Sequence, residues 1–134
     1  MISLDPLGAM PHPLRILLID DSDVSLLVCE TLLVAEGFDT RTAASLEQFD
    51  HLLREWPPDV VLTDVQMPGL SGPELCRRLK ADAATARIPV VLYSSLPEEE
   101  LMIAALQCGA DGCVRKANRH EELPQRLREI CAKR

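Results

Sequence analysis

The stretch that decides the fold runs from Val60 to Gly72 and reads VVLTDVQMPGLSG. Its first three residues are apolar, yet the run ends on an acid, Asp64, and the turn signal Pro68-Gly69 follows four residues later. Short apolar runs rich in Val, Ile and Leu are typical of strands buried on both faces of a parallel sheet. The acid at the end of this strand is either a turn cap or a group placed to meet a charged ligand.

Two further runs of the same kind lie at Ile16 to Ile19 and Val90 to Leu92. Weaker strands are predicted around Phe38 to Thr42 and Gly112 to Arg115. Helical segments separate the five strands, so the order is strand then helix, five times. This alternation predicts an α/β fold of the flavodoxin-like (βα)5 type, a doubly wound five-stranded parallel sheet with strand order 2-1-3-4-5. One domain is expected over residues 14–134, preceded by a flexible arm at residues 1–13.

The helices are marked by their apolar faces and by their ends. The first helix is expected to pack through Val24, Leu27, Val28, Thr31, Leu32 and Ala35, and the last through Leu123, Leu127, Ile130 and Cys131. Three capping boxes are predicted, with Pro73 and Pro97 in first turns: Ser45 with Gln48, Ser71 with Glu74, and Ser95 with Glu98. Gly37 and Gly109 follow helices as C-terminal stops.

Composition excludes several classes of function. The 134 residues carry a net charge of −7, which argues against general binding to nucleic acid or anionic lipid. No apolar run approaches the roughly 20 residues needed to cross a bilayer, and the first 13 residues lack the features of a signal peptide. The five cysteines include no CxxC pair. They predict small core residues in a reducing cytoplasm. From the net charge and the absence of a long apolar run, no direct nucleic-acid or membrane partner is expected.

Acidic residues follow two strands that are adjacent in the predicted sheet. The first strand ends at Ile19-Asp20-Asp21, and the third ends at Thr63-Asp64. Ligands bind beyond the carboxyl ends of such strands, where the strand order reverses. Three uncompensated carboxylates would repel one another and raise their own pKa values, whereas Mg²⁺ is typically held by one or two carboxylates with waters and phosphate oxygens. The alternative is that all three acids cap turns and helices.

The other strand ends carry groups that suit a tetrahedral anion on Asp64. The fourth strand runs into Ser94 and Ser95, and the fifth into Lys116. A cation and the Lys116 ammonium would neutralise the oxygens of such an anion, and the Ser94 hydroxyl would donate a hydrogen bond to it. Each signal is weak alone, and Ser95 has the simpler interpretation of a helix cap.

Four segments together resemble the signature segments of response-regulator receiver domains of two-component signalling, in order and in spacing: ILLIDDS, VVLTDVQMPGLSG, PVVLYSS and ADGCVRK. The resemblance covers residues 14 to about 133. It implies that Asp64 accepts a phosphoryl group from the phosphohistidine of a histidine kinase or phosphotransfer protein. Mg²⁺ would be bound by Asp21, Asp64 and the backbone carbonyl of Gln66, and by Asp20 largely through water. Ser94 would be the switch hydroxyl and Lys116 the phosphate-contacting lysine.

The sequence departs from this family at three positions near the expected output surface. Cys113 stands where an aromatic switch residue is usual, Ala117 follows the lysine in place of a cis proline, and Pro124 lies within the last helix. We expect a trans bond before Ala117 and a reshaped loop, because a cis bond there would cost about 3 kcal/mol. The last helix should begin near Glu121 or Glu122, or bend. Signal output is therefore expected to differ from the aromatic-switch scheme.

Gln66 and Leu96 flank the path by which water would attack an acyl phosphate on Asp64, and Ser95 lies in the same switch segment. Leu96 offers neither a base nor a hydrogen bond to orient that water, so slow self-dephosphorylation is expected. The phosphorylated form would act on a downstream protein target through the face formed by the fourth helix, fifth strand and fifth helix, which could also form a homodimer.

Two other functions remain open at this point. Asp21-Ser22-Asp23 resembles the DxD motif of haloacid-dehalogenase-type phosphohydrolases, although Ser25 stands where that family has Thr or Val. A pseudo-receiver, which docks without being phosphorylated, is the other alternative. Under the receiver hypothesis the protein is not an enzyme but a phosphoacceptor that assists its own phosphorylation and dephosphorylation. Whether the chain is a stand-alone regulator or part of a larger one stays open.

Overall fold

The computed structural model describes residues 13–133 and contains a single five-stranded parallel sheet. The strands lie in the order β2-β1-β3-β4-β5 and have these bounds: β1 Arg15–Ile19, β2 Asp39–Ala43, β3 Val60–Thr63, β4 Val90–Ser94 and β5 Gly112–Arg115. The predicted fold class and strand order are confirmed. The N-terminal arm predicted at residues 1–13 falls almost wholly outside the described residues.

Five α-helices alternate with the strands: α1 Asp23–Ala35, α2 Leu46–Glu55, α3 Gly72–Ala81, α4 Glu98–Cys108 and α5 Arg119–Ala132. A single turn of 3-10 helix, Lys116–Asn118, joins β5 to α5. No helix between residues 13 and 133 is long and apolar enough to span a membrane.

The core consists of two apolar layers, one on each face of the sheet. Buried side chains of α2, α3 and α4 pack on the face that carries Leu17, Val61 and Leu92. Those of α1 and α5 pack on the opposite face, with Leu18 and Leu62. Because β1, β3 and β4 are covered on both sides, their residues are apolar at nearly every position.

Two of the three predicted helix starts are borne out, and one is wrong. Ser71 and Glu74 form the full capping box, and the Ser45 hydroxyl accepts a hydrogen bond from the Gln48 amide. The Ser95 prediction fails because α4 begins only at Glu98, with Pro97 as its N-cap and no side-chain cap. A proline at that position disfavours helical conformation in the residue before it.

The predicted apolar face of α1 is largely wrong, although Leu32 packs partly buried against the core as expected. The buried residues of α1 are Leu26, Cys29 and Leu33. Val24 and Leu27, which were expected to pack on the sheet, are 73% and 64% exposed. The helix therefore has two apolar stripes, and one of them faces solvent.

The helix that follows β5 starts at a different residue from the one predicted. Helix α5 begins at Arg119, earlier than predicted, and Pro124 lies buried at its sixth position. The expected trans bond before Ala117 is confirmed, since no cis peptide bond occurs within residues 13–133. The predicted packing of Leu123 and Leu127 is confirmed as well, and both are fully buried.

Helix α3 begins in direct contact with the end of β3. The Gly72 amide donates a hydrogen bond to the carbonyl of Val65 at 2.9 Å. A Cβ atom at position 72 would lie closer to the Asp64 carbonyl oxygen than any real contact allows, and 2.9 Å from the Asp64 carbonyl carbon. Only glycine permits this approach, which places the first turn of α3 against the peptide that carries the Asp64 side chain.

Candidate functional site

The predicted acids meet at the carboxyl edge of the sheet. Strands β1 and β3 end side by side, with Ile19 opposite Thr63, so the acids that follow them become neighbours. One carboxylate oxygen from each of Asp20, Asp21 and Asp64 lies within 4.8 Å of the others. Asp20 is fully buried, Asp64 is 8% exposed, and Asp21 is exposed to solvent. The cluster therefore has a buried floor and an open rim.

Lys116 joins this cluster from the end of β5. Its Nζ atom lies 2.7 Å from Asp20 Oδ2 and 3.3 Å from Asp64 Oδ2. The side chain is only 14% exposed, so the ammonium is largely removed from water and must be paired. The lysine predicted from sequence thus contacts both buried acids.

Backbone amides orient the two buried carboxylates. The amide of Ser22 donates to Asp20 Oδ1 at 3.0 Å, and that of Val65 donates to Asp64 Oδ1 at 2.7 Å. In each acid the other oxygen, Oδ2, faces Lys116. Charge-assisted bonds of this kind hold each carboxylate in one orientation.

The two buried acids differ in their electrostatics. Burial raises the pKa of Asp20, but hydrogen bonds from Lys116 and from the Ser22 amide outweigh it and leave the pKa below its usual value. Burial also raises the pKa of Asp64, and the charge of Asp20 adds to that effect, so its pKa stays above its usual value despite Lys116. The ionised form of Asp64 is therefore disfavoured by its surroundings, and added positive charge beside it would favour that form.

The donor set fits a hard divalent cation. All three candidate ligands are carboxylate oxygens, and one of the acids is exposed on the open rim, where water could complete the coordination. Asp20, Asp21 and Asp64 are thus suited to Mg²⁺, which would neutralise charge on bound phosphate oxygens.

Ser94 lies at the end of β4 and is 2% exposed. Its hydroxyl oxygen accepts a hydrogen bond from the Leu96 amide at 3.2 Å. The carbonyl of the same residue, Leu96, accepts a hydrogen bond from Arg115 Nε at 3.0 Å. The backbone of Leu96 is therefore held on one side by the predicted switch hydroxyl and on the other by β5.

The remaining predicted residues flank the cluster. Gln66 and Ser95 are exposed on their loops, and Leu96 is partly buried against the apolar layer of α2, α3 and α4. Cys113 packs against the same layer, and burial raises the pKa of its thiol. The structure brings Asp20, Asp64 and Lys116 into direct contact, and leaves Gln66 and Ser95 at the periphery.

Three residues at the site were missed from sequence: Tyr93, Arg115 and Arg119. The Lys116 ammonium lies 5.4 Å from the centroid of the Tyr93 ring, and Arg119 Nη1 donates to the Lys116 carbonyl at 2.8 Å. The signal that could have revealed them is adjacency in sequence, since each lies within three residues of Ser94 or Lys116.

The sequence matches a known family over most of its length. The family model described as the response regulator receiver domain matches residues 16–128. That range contains the three clustered acids, Ser94 and Lys116.

Among curated proteins, the chain is similar to three bacterial regulators. It is 35% identical over 115 residues to the transcriptional regulatory protein AfsQ1 of Streptomyces coelicolor, covering 86% of this chain and 50% of that protein. It is 34% identical to the DNA-binding response regulator MtrA of Mycolicibacterium smegmatis, covering 85% of this chain and 49% of that protein. It is 32% identical to the phosphate regulon transcriptional regulatory protein PhoB of Rhizobium meliloti, covering 87% of this chain and 51% of that protein. The chain spans about half the length of these relatives.

Solved structures agree on the fold. A candidate response regulator from Chloroflexus aurantiacus superposes with a TM-score of 0.84 at 29% identity, covering 90% of this chain and 99% of that one. The signal receiver domain of a histidine kinase from Syntrophus aciditrophicus superposes with a TM-score of 0.78 at 27% identity, covering 89% and 90%.

Proposed function

Because the chain belongs to the response-regulator receiver domain family, we propose that Asp64 is its phosphoacceptor in a Mg²⁺-dependent reaction with a histidine kinase or phosphotransfer protein. The observation that carries the proposal is the contact of Lys116 with both Asp20 and Asp64 at the end of the sheet. We also propose that the receiver domain spans residues 14–134, works in the cytoplasm and does not itself bind nucleic acid, in keeping with its net charge of −7.

The proposed reaction transfers one phosphoryl group. A carboxylate oxygen of Asp64 attacks phosphorus in line, a P–O bond forms, and the P–N bond to the donor histidine breaks with its electron pair leaving on nitrogen. Lys116 Nζ lies close enough to Asp64 to donate to a phosphoryl oxygen on it. The Ser94 hydroxyl, at the end of the neighbouring strand β4, is proposed to donate to another. A cation held by Asp20, Asp21, Asp64 and the Gln66 carbonyl would supply the remaining positive charge.

Intact mass spectrometry tests the proposal directly. The protein is incubated with phosphoramidate, with Mg²⁺ or with excess chelator, and its mass is followed over time. We expect an increase of one phosphoryl group with Mg²⁺ and a much slower one without it. An unchanged mass would favour the pseudo-receiver alternative, and turnover of phosphate esters would favour the hydrolase.

The exposed stripe of α1 is the proposed docking surface for the phosphodonor protein. Val24 and Leu27 project into solvent from a helix that begins two residues after Asp21, so a helix docked there would lie beside the acid cluster. The proposed occupant is a helical segment that carries the phosphohistidine, because the donor nitrogen must come within bonding distance of Asp64.

Leu27→Glu should distinguish an effect on docking of the phosphodonor protein from an effect on phosphoryl transfer itself. We expect transfer from a phosphorylated histidine phosphotransfer protein to slow at least about tenfold, because a charge replaces an apolar contact at the interface. Phosphorylation by phosphoramidate should not change. Arg54→Gln, at an exposed position of α2, is the charge-matched control, because both variants make the net charge more negative by one. Equal loss with both donors would contradict the docking assignment.

Helix α4 carries the proposed output surface. Its exposed apolar residues, Met102, Ile103 and Leu106, form an apolar patch on the helix, and Arg115 links the neighbouring β5 to the Leu96 backbone. We propose that a second copy of the chain binds here. The triad Glu98 to Glu100 at the start of α4 gives the patch an acidic border, which arginines of α5 on a two-fold related copy could face.

Leu106→Glu tests that assignment, because Leu106 is 81% exposed and its replacement should not disturb the core. In sedimentation velocity, the phosphorylated protein should show concentration-dependent dimers and the variant should stay monomeric. Val34→Glu, on the exposed side of α1, is the matched control and should dimerise normally. Dimers that persist in Leu106→Glu would place the interface elsewhere.

Leu96 is proposed to extend the lifetime of the acyl phosphate, because its side chain cannot orient an attacking water. Leu96→Glu should accelerate loss of the phosphoryl group about tenfold or more at neutral pH, measured by intact mass after donor removal. Leu96→Ala controls for the lost packing against the core and should change the rate little. Similar rates in all three proteins would refute the assignment.

A further inference from the structure

Tyr93 lies directly beneath the proposed catalytic lysine. The Lys116 ammonium is 5.4 Å from the centroid of the Tyr93 ring, and the tyrosine is completely buried. We infer that Tyr93 is a positioning residue whose ring holds the Lys116 ammonium at the phosphoacceptor site by a cation–π contact. This inference rests on the proposed function, because it concerns how Lys116 reaches a phosphoryl group on Asp64.

Lys116 needs a restraint of this kind. Its side chain is a flexible four-carbon stem, and it begins a single turn of 3-10 helix in which Ala117, not a proline, comes next. Arg119 fixes the Lys116 backbone by donating to its carbonyl, but that bond leaves the ammonium free to swing. Among the described residues, the ammonium is directed by its contacts with Asp20, Asp64 and the Tyr93 ring.

The three contacts respond differently to the reaction. A cation bound by the acid cluster would neutralise Asp20 and Asp64, and would weaken their attraction for Lys116. The attraction to the Tyr93 ring arises from the ring quadrupole and is not neutralised by that cation. The ring would thus hold the Lys116 ammonium in place when Asp20 and Asp64 interact with the cation. The ammonium could then donate hydrogen bonds to phosphoryl oxygens.

The effect belongs to the ring and not to the hydroxyl. The Tyr93 hydroxyl oxygen is buried near Cys29 and Arg119, and no hydrogen bond of acceptable geometry satisfies it within residues 13–133. An unsatisfied buried hydroxyl is unfavourable. Phenylalanine should therefore preserve the function of Tyr93, whereas an aliphatic residue of similar burial should not.

The first experiment compares single variants in phosphorylation by phosphoramidate. The rate constant at saturating Mg²⁺ is measured separately from Mg²⁺ affinity, which is obtained by calorimetry. Tyr93→Phe should stay within about twofold of the parent protein, and Tyr93→Leu should fall about fivefold in rate constant, with Mg²⁺ affinity unchanged. Val91→Ala, a truncation on the same strand and in the same apolar layer, should leave the rate constant unchanged.

A double-mutant cycle distinguishes an effect of Tyr93 through Lys116 from a general loss of packing. In a Lys116→Ala background, Tyr93→Leu should cause no further loss of rate, because the ring acts through the lysine. In urea unfolding without Mg²⁺, the midpoint shift of the double variant should likewise be smaller than the sum of the shifts of the two single variants. Where Tyr93→Leu does not fold, Tyr93→Met takes its place.

The outcomes separate the inference from the function on which it rests. A fivefold fall that disappears in the Lys116→Ala background supports the inference. A fall of the same size in both backgrounds, or a Tyr93→Leu rate equal to that of the parent, overturns it while leaving Asp64 as phosphoacceptor. A parent protein that gains no phosphoryl group overturns the proposed function, and this inference with it.

Discussion

Asp64→Asn is expected to abolish the phosphoryl adduct completely. An amide has no anionic oxygen to attack phosphorus, and no other carboxylate of the cluster combines the Lys116 contact with the raised pKa of Asp64. The measurement is intact mass after incubation with phosphoramidate and Mg²⁺, followed by peptide mapping of the parent protein to locate the adduct.

One control variant sharpens the Asp64 result. Asp23→Asn changes an exposed acid on α1 that lies outside the cluster, and it should be phosphorylated at the parental rate. The same variant would be inactive in a haloacid-dehalogenase-type hydrolase, whose DxD motif would use that acid. An adduct that persists in Asp64→Asn would move the phosphoacceptor to another residue.

Gly72→Ala is expected to cause the largest loss of stability. The added Cβ would collide with the Asp64 carbonyl group, which is backbone and cannot swing aside. Either α3 or the end of β3 must shift, and we expect the free energy of unfolding to fall by about 3 kcal/mol or more. Urea unfolding monitored by circular dichroism measures the change through its midpoint.

Gly112→Ala is the matched control for this stability effect. There the new Cβ would meet Ile130 Cδ1 at 2.9 Å, which is the far end of a flexible side chain. Its cost should therefore stay near or below about 1 kcal/mol. If the two variants lose equal stability, the contact between α3 and the Asp64 peptide is not what makes glycine necessary at position 72.

Local patterns predicted much of this fold. Apolar runs located β1, β3 and β4 within two residues, because strands covered on both faces admit few polar residues. The Ser71 and Glu74 pair located the start of α3, because both hydrogen bonds of a capping box form within one turn. The acids and Lys116 were predicted as a cluster because they follow the ends of strands that the topology makes neighbours.

The predictions failed where one sequence pattern is compatible with more than one structure. Helix α1 has apolar residues at helical spacing on two sides, and periodicity alone does not say whether Leu26 or Leu27 faces the sheet. The sequence after Ser94 offers a capping residue, but Pro97 determines where the helix starts. Adjacency to Ser94 marks Tyr93 as a neighbour of the site, but its contact with Lys116 joins β4 to the 3-10 turn after β5, so no local pattern predicts that contact.

Under the proposed function, the two-sided hold on the Leu96 backbone would make phosphorylation and partner recognition reciprocal. If the Ser94 hydroxyl turns to a phosphoryl group, it releases the Leu96 amide and unsettles the carbonyl that Arg115 binds. A partner that draws the Arg115 guanidinium to itself would loosen the same peptide from the other side. By thermodynamic linkage, such a partner at saturation would raise the equilibrium constant for phosphorylation by the same factor by which phosphorylation raises the partner's affinity.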